Sequence, residues 1–373
     1  MPGAVYSPFG DRIDECDPPP VALHVGDTWL PACPGTRMED LSAVDHPDLH
    51  RYAPTAGLPP LLDAVVEKVS ERNGLTCGRD GVLIGAGATG ALASVIGAVA
   101  APGDEILILA PFWPLIRGIV QSFRGRPVEV PFYDRVRSAQ DAVDAVREHL
   151  SSRTVALYVS TPSNPTGRVL PRAWLEALAA LAGEHDLWFI ADEVYEDYVY
   201  DGEHFSVGSV DPARTATVFS FSKAYGMAGN RVGYLVGPPD LVREAHKVGT
   251  HTAYHAPVPG QWAALRALER GNEWVEDARR HYRAAGAAAA SALGLPMPEG
   301  STFLFVDVAS QLDERGMDGF LTDCFESGVL VAPGASSGRD YESWIRLCYT
   351  AAPPEDVAGA VSRLAQRMGR SAL

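Results

Sequence analysis

SFSKAYGMAGNRVGY, residues 220–234, holds one of only three lysines in a chain that carries 31 Lys and Arg residues in all. Arginine keeps its proton at any usable pH, whereas a lysine amine can be neutralised by its surroundings and then attack a carbonyl. A sequence that otherwise builds its positive charge from arginine therefore marks Lys223 as kept for its chemistry. It follows Ser220 and Ser222 and precedes a glycine-spaced Arg231. The other two lysines, Lys68 and Lys247, lie in charged, helical contexts.

The stretch follows an apolar run, ATVFS, one of seven between Gly81 and about Gly237: VLIG, EILILA, PVEV, TVALYVS, LWFIA, ATVFS and GYLVG. Short apolar runs separated by helical patterns such as AWLEALAALAGEH predict an α/β fold with a mostly parallel seven-stranded sheet between helices. Ligands of such sheets sit beyond the carboxyl ends of the strands, so chemistry is expected just after each run. A Pro-rich segment of about 45 residues comes before this block. After it come a helical stretch over 259–293, including the alanine-rich AAGAAAA, and three more strand candidates, TFLFVDV, GVLVA and WIRLCY. The two chain ends are expected to meet in a small α+β domain. The expected division is 1–45 for an N-terminal arm and part of that domain, 46–255 for the large domain, and 256–373 for a linking helix and the rest of the small domain.

With 373 residues, 46% hydrophobic and 21% charged, the chain can bury a large core. A formal charge of -16 argues against a nucleic-acid or anionic-membrane surface, so any bound anion needs a local site. Five scattered cysteines without a CxxC pair suggest neither a disulfide framework nor a metal site, and point to a reducing, cytoplasmic setting. The N-terminal MPGAVYSPFGDRIDECDPPP has acids and prolines where a secretion signal needs basic residues and an apolar run. The longest apolar run, ALASVIGAVAA, is too short to cross a bilayer and reads as a buried helix.

Three motifs mislead. GAGATG, residues 85–90, matches a dinucleotide fingerprint, but the acids about twenty residues on, Asp104 and Glu105, precede the next strand instead of ending it. What survives is a glycine-rich turn at a helix N-terminus, suited to a phosphate. GASSG, residues 334–338, resembles a hydrolase elbow around Ser336, yet no histidine follows His281. SFSK fits an SxxK pattern whose partner KTG is missing.

Four strand-end signals remain: the phosphate-type turn, STPSNPTG, ADEVY and the lysine stretch. They supply a carboxylate, an amide, a phenol, an amine, hydroxyls and an arginine, the inventory that a phosphorylated pyridine aldehyde requires. Here the chain resembles the aspartate-aminotransferase superfamily, the fold-type I enzymes dependent on pyridoxal 5'-phosphate (PLP), from about Gly26 to Arg346. The resemblance implies that Lys223 forms the Schiff base and then serves as general base and acid. It implies that Asp192 keeps the pyridine nitrogen protonated and that Tyr195 and Asn164 bond the ring's 3-oxygen. Ser220, Ser222, Arg231, Ala88 and Thr89 match phosphate partners. Trp113 falls where a ring stacks on the pyridine, although core packing would also explain it. Tyr52 matches a tyrosine reaching the neighbouring subunit's phosphate, which implies a homodimer. Arg346, one charge inside the apolar WIRLCY, matches the clamp for the substrate's α-carboxylate, with a backbone amide near Gly26 assisting; a structural salt bridge is the alternative.

Some positions depart from the commonest pattern. Leu61 and Leu62 stand where Leu-Arg is frequent, which reads as structural. HVGDTWLPA replaces a Gly-x-Pro-Asp run, so Asp27 or Trp29 could touch substrate, and serine replaces an aromatic residue in PGASSG. His251, Tyr254 and His255 lie where relatives contribute to the pocket, with no role assignable. The resemblance implies a ping-pong aminotransferase that moves the amino group of an L-amino acid to a 2-oxo acid. Two alternatives stay open at this level. One is a lyase cleaving a β-bond such as C–S, or a decarboxylating or oxidative enzyme, on the same cofactor. The other is a noncatalytic PLP-sensing regulator, disfavoured because no basic recognition helix precedes the sheet.

Overall fold

The computed structural model describes residues 7–369, so the first six residues of the acid- and proline-bearing N-terminal stretch lie outside the described residues. The first strand, β1 (Val21–Ala22), is followed by the seven of the large sheet: β2 (Val82–Ala86), β3 (Glu105–Ala110), β4 (Arg126–Pro131), β5 (Thr154–Ser160), β6 (Trp188–Asp192), β7 (Thr215–Ser220) and β8 (Val232–Val236). These are the seven runs expected from the sequence, in the spatial order β2-β8-β7-β6-β5-β3-β4. All neighbours are parallel except β8, which runs antiparallel to both β2 and β7.

The period of two along a strand sets the layers. In β3, Ile106 and Ile108 enter the core shared with helices Gly87–Val99, Pro114–Ser122 and Pro239–Thr252, while Leu107 and Leu109 enter the opposite core, shared with Ala139–Arg147 and Arg172–Glu184. The run read as a buried helix is the first of these, and its Val95 and Ile96 are fully buried. Leu61 and Leu62 are buried in helix Pro59–Asn73, in keeping with the structural reading of that pair.

The remaining strands are β9 (Phe303–Asp307), β10 (Val329–Leu330), β11 (Ala332–Pro333) and β12 (Trp344–Cys348). The single candidate GVLVA is divided: β10 pairs with β1 in parallel, joining Val21 to Val329, whereas β11 pairs with β12 in a three-stranded antiparallel sheet completed by β9. The chain ends thus meet in small sheets. They pack on helices Asn272–Ala292, Gly316–Glu326 and Pro354–Arg367 through a core that includes Leu23, Tyr282, Phe320, Ile345 and Leu364. The stretch 259–293 is two helices, Val258–Arg270 and Asn272–Ala292, joined at Gly271, where a Cβ would lie 2.6 Å from the Tyr225 ring. Among the described residues no helix is long and apolar enough to cross a membrane, and no cluster of His, Cys, Asp or Glu is arranged to hold a metal.

Candidate active site

The parallel strands deliver their carboxyl ends to one edge of the sheet, and a cavity opens there. Ser160 ends β5, Asp192 ends β6 and Ser220 ends β7. Arg231 arrives differently. It precedes β8, and because β8 is antiparallel its amino end lies at the same edge as the others' carboxyl ends. The cavity is lined by Ala88, Thr89, Trp113, Asn164, Asp192, Tyr195, Ser220, Ser222, Lys223 and Arg231 from the large sheet, and by Gly26 and Arg346 from the chain ends. Every residue matched to the cofactor or the α-carboxylate is therefore present except Tyr52, which is 85% exposed on the surface with its ring against Tyr254 and His255; Asp27, Trp29, His251, Tyr254 and His255 are likewise outside the lining.

At the floor, Asp192 is buried at 3% exposure. Its carboxylate accepts from the Tyr158 hydroxyl and, at 3.4 Å, from the Val194 N–H. Burial pushes its pKa up from 3.8 to about 6, against those two hydrogen bonds and with a small upward push from Glu193. Lys223 lies in the short helix Phe221–Ala224, whose first N–H groups are organised by Ser220: its Oγ accepts from the Ser222 N–H at 3.1 Å. The Lys223 Nζ donates to the Gly26 carbonyl oxygen at 2.6 Å. Burial lowers the amine's pKa below the lysine norm, with Cys348 and Asp27 opposing and Arg346 and Arg231 assisting. A lowered pKa is what a nucleophilic amine needs.

The glycine-rich turn ends at Gly87, where φ is +72° and helix Gly87–Val99 begins. A Cβ there would sit 2.4 Å from the Arg231 Nη2, so the guanidinium rests directly on the turn. Arg231 itself has φ +55°, and its Nη1 donates to the Ala228 carbonyl at 2.9 Å. A helix N-terminus, two serine hydroxyls and a guanidinium thus converge, a donor set suited to a phosphate dianion. The acids that spoiled the dinucleotide reading lie elsewhere: Glu105 begins β3, at the opposite edge of the sheet, paired with Arg126 and Arg153.

Arg346, 3% exposed, lies over the Phe303 ring at 4.6 Å, donates from Nη1 to Asn164 Oδ1 at 3.0 Å and from Nη2 to the His24 carbonyl at 2.8 Å. From β12, opposite Phe305, it reaches out of the small sheet to Asn164 in the loop that follows β5. Gly26 is required by contact, since a Cβ would meet Phe303 Cζ at 2.5 Å. The sequence drew attention to the Gly26 amide; the atom joined to Lys223 is its carbonyl. Tyr158 and Phe303 were missed. Their only signal was an aromatic residue on the appropriate face of a strand, which is indistinguishable from core.

The model of the family described as aminotransferase class I and II matches residues 21–364. An aspartate/prephenate aminotransferase of Thermus thermophilus is 36% identical over 86% of this chain and 84% of its own length. An arginine–pyruvate transaminase of Pseudomonas aeruginosa is 34% identical over 79% and 77%. Among solved structures, an aspartate aminotransferase from Thermus thermophilus with maleate superposes with a TM-score of 0.88 at 32% identity, covering 98% of this chain and 97% of that one. A family match spanning both chain ends, over a cavity that gathers an amine, a carboxylate and an anion cradle, means that the chain belongs to the class I and II aminotransferases.

Proposed function

We propose that the protein moves the amino group of an L-amino acid to a 2-oxo acid, using pyridoxal 5'-phosphate in this cavity. The observation that carries the reading is the half-buried Lys223 amine, its pKa depressed, sharing one cavity with Asp192, Asn164, Arg231 and Arg346. The residues fit the cofactor. The Gly87 cradle, Ser220, Ser222, Thr89, Ala88 and Arg231 would hold its phosphate, Asp192 its ring nitrogen, Tyr195 and Asn164 its ring oxygen, and Trp113 one ring face. Bound there, it would supply an aldehyde and a conjugated ring that withdraws electrons from the substrate's α-carbon.

The chain's own residues do the rest. Arg346 grips the substrate's α-carboxylate and fixes the amino acid's orientation. Lys223, neutral once it is displaced from its resting place, takes the α-proton and returns it at the far end of the transfer. Asp192 stays ionised by facing a cationic ring nitrogen, which offsets the burial that otherwise raises its pKa. The large domain, 46–255, carries the cofactor, and the segments 1–45 and 256–373 bring Gly26 and Arg346 over it. The exposed Tyr52 supports a homodimer in which this ring serves the partner's site. The five cysteines, unpaired in the described structure, suit a reducing, cytoplasmic setting.

The test is turnover of the PLP-loaded protein on amino acids with and without a 2-oxo acid acceptor. Transfer requires equimolar new amino acid and new oxo acid, dependent on the acceptor. Sustained ammonia release without acceptor would instead mean elimination. Lys223→Ala should lose at least about 10³-fold in turnover and form no borohydride-stable link to the cofactor.

A further inference from the structure

Of the residues lining the cavity, the cations are Lys223, Arg231 and Arg346. On the reading proposed above, on which this inference rests, all three are committed: to the reacting amine, the phosphate and the α-carboxylate. Arg117, on the helix that follows Trp113, is engaged by Glu129 at 3.1 Å and by the Ser336 carbonyl at 3.4 Å. The described lining thus leaves no uncommitted cation for a second carboxylate on the substrate.

Next in the chain to the lining residue Gly26 stands an acid instead. Asp27 is exposed and directly follows Gly26, whose carbonyl holds the Lys223 Nζ at 2.6 Å. It takes part in no ion pair among the described residues, and its field reaches both the Lys223 amine and the Tyr282 phenol. The segment that carries it is pinned. The Asp27 carbonyl accepts from Thr350 Oγ1 at 2.7 Å and from Cys348 Sγ at 3.6 Å, and the Trp29 N–H donates to the Thr350 carbonyl at 2.9 Å. Thr28 Oγ1 bonds the Tyr282 hydroxyl and accepts from the Leu30 N–H at 3.1 Å. Asp27 Oδ1 accepts from the Thr28 N–H at 2.9 Å, which orients the carboxylate and leaves its other oxygen for a ligand. A charge held this firmly is preorganised for recognition.

We propose that Asp27 is a specificity-determining residue that pairs with a cationic group at the end of the substrate's side chain, so that the amino donor is a basic amino acid bearing a second amine or a guanidinium. Residue 27 is one Cα step, about 3.8 Å, beyond the residue that touches the reacting amine, which is within reach of a three- or four-carbon side chain. A dicarboxylic donor would bring a like charge to the same place.

The experiment measures kcat/KM of the PLP-loaded enzyme for L-ornithine, L-lysine, L-arginine, L-alanine, L-leucine, L-aspartate and L-glutamate against one fixed 2-oxo acid, for the native protein, Asp27→Asn and Asp27→Arg. The native enzyme should favour at least one basic donor over both dicarboxylic donors by about tenfold or more. Asp27→Asn should lower the ratio of basic to neutral donors by roughly five- to tenfold, mostly through KM, and Asp27→Arg should turn the preference toward aspartate or glutamate. A native preference for dicarboxylic or neutral donors, or an Asp27→Asn ratio equal to the native one, would overturn the assignment. A protein that binds no PLP and turns over no donor overturns the functional reading beneath it.

Discussion

Asp192 carries two conflicting demands. Its folded pKa of about 6 lies above the ordinary 3.8, so in the cofactor-free protein its contribution to stability is complete below about pH 3.8 and is lost as pH rises through 6. The separation corresponds to about 3 kcal/mol of strain at neutral pH, to order of magnitude. Cofactor-free Asp192→Asn should therefore be more stable than the native protein at pH 7.5 by up to about 3 kcal/mol. Denaturant titrations should show that advantage shrinking toward zero near pH 4, while PLP-dependent turnover is lost. An advantage that is the same at both pH values would show that ionisation of Asp192 is not its source. The functional residues at strand ends were legible because each stands in a motif whose chemistry is unusual for its surroundings. Tyr158 was not legible, because its hydroxyl meets Asp192 only through the register that sets Ser160 beside Asp192.

Single strands and helices position the site through their ends. The turn into helix Gly87–Val99 serves it by having no side chain at Gly87. Gly87→Ala adds a Cβ at 2.4 Å from the Arg231 guanidinium and asks an L residue to hold φ +72°. The expected result is a PLP Kd raised about tenfold or more, read by titrating cofactor absorbance. Inorganic phosphate, bound at the same turn, should lose affinity in parallel, and unchanged affinities would remove this turn from the phosphate site. The antiparallel β8 shows where element-level reading ran out. GYLVG reads as a strand in the sequence, but nothing in it gives direction, and it is the direction that puts Arg231 beside the turn. GVLVA failed for a related reason. Five apolar residues look continuous, whereas the chain changes partners between Leu330 and Ala332.

At the level of the whole molecule, the large sheet was readable because its strands are local and nearly uniformly apolar, while the meeting of β1 with β10 is a pairing across some 300 residues that no local pattern encodes. Tyr52 and Tyr254, at 85% and 47% exposure, form an aromatic group with the half-buried His255. The expected association is a dimer, for which sedimentation equilibrium should read twice 39.8 kDa; a monomer at micromolar concentration would leave the partner's share of the site without a basis. The scarcity of lysine has a practical side as well. Lys68 is buried against Glu196, Asn73 and the Phe219 ring, and Lys223 lies inside the cavity, whereas Lys247 is 61% exposed beside Glu244. Of the three ε-amines, Lys247 is the one on the open surface for a coupling resin. The folded protein can therefore be tagged or tethered at a surface lysine 24 residues along the chain from Lys223, and after borohydride treatment a protease that cuts after lysine would read a cofactor linked to Lys223, as proposed above, as a missed cleavage.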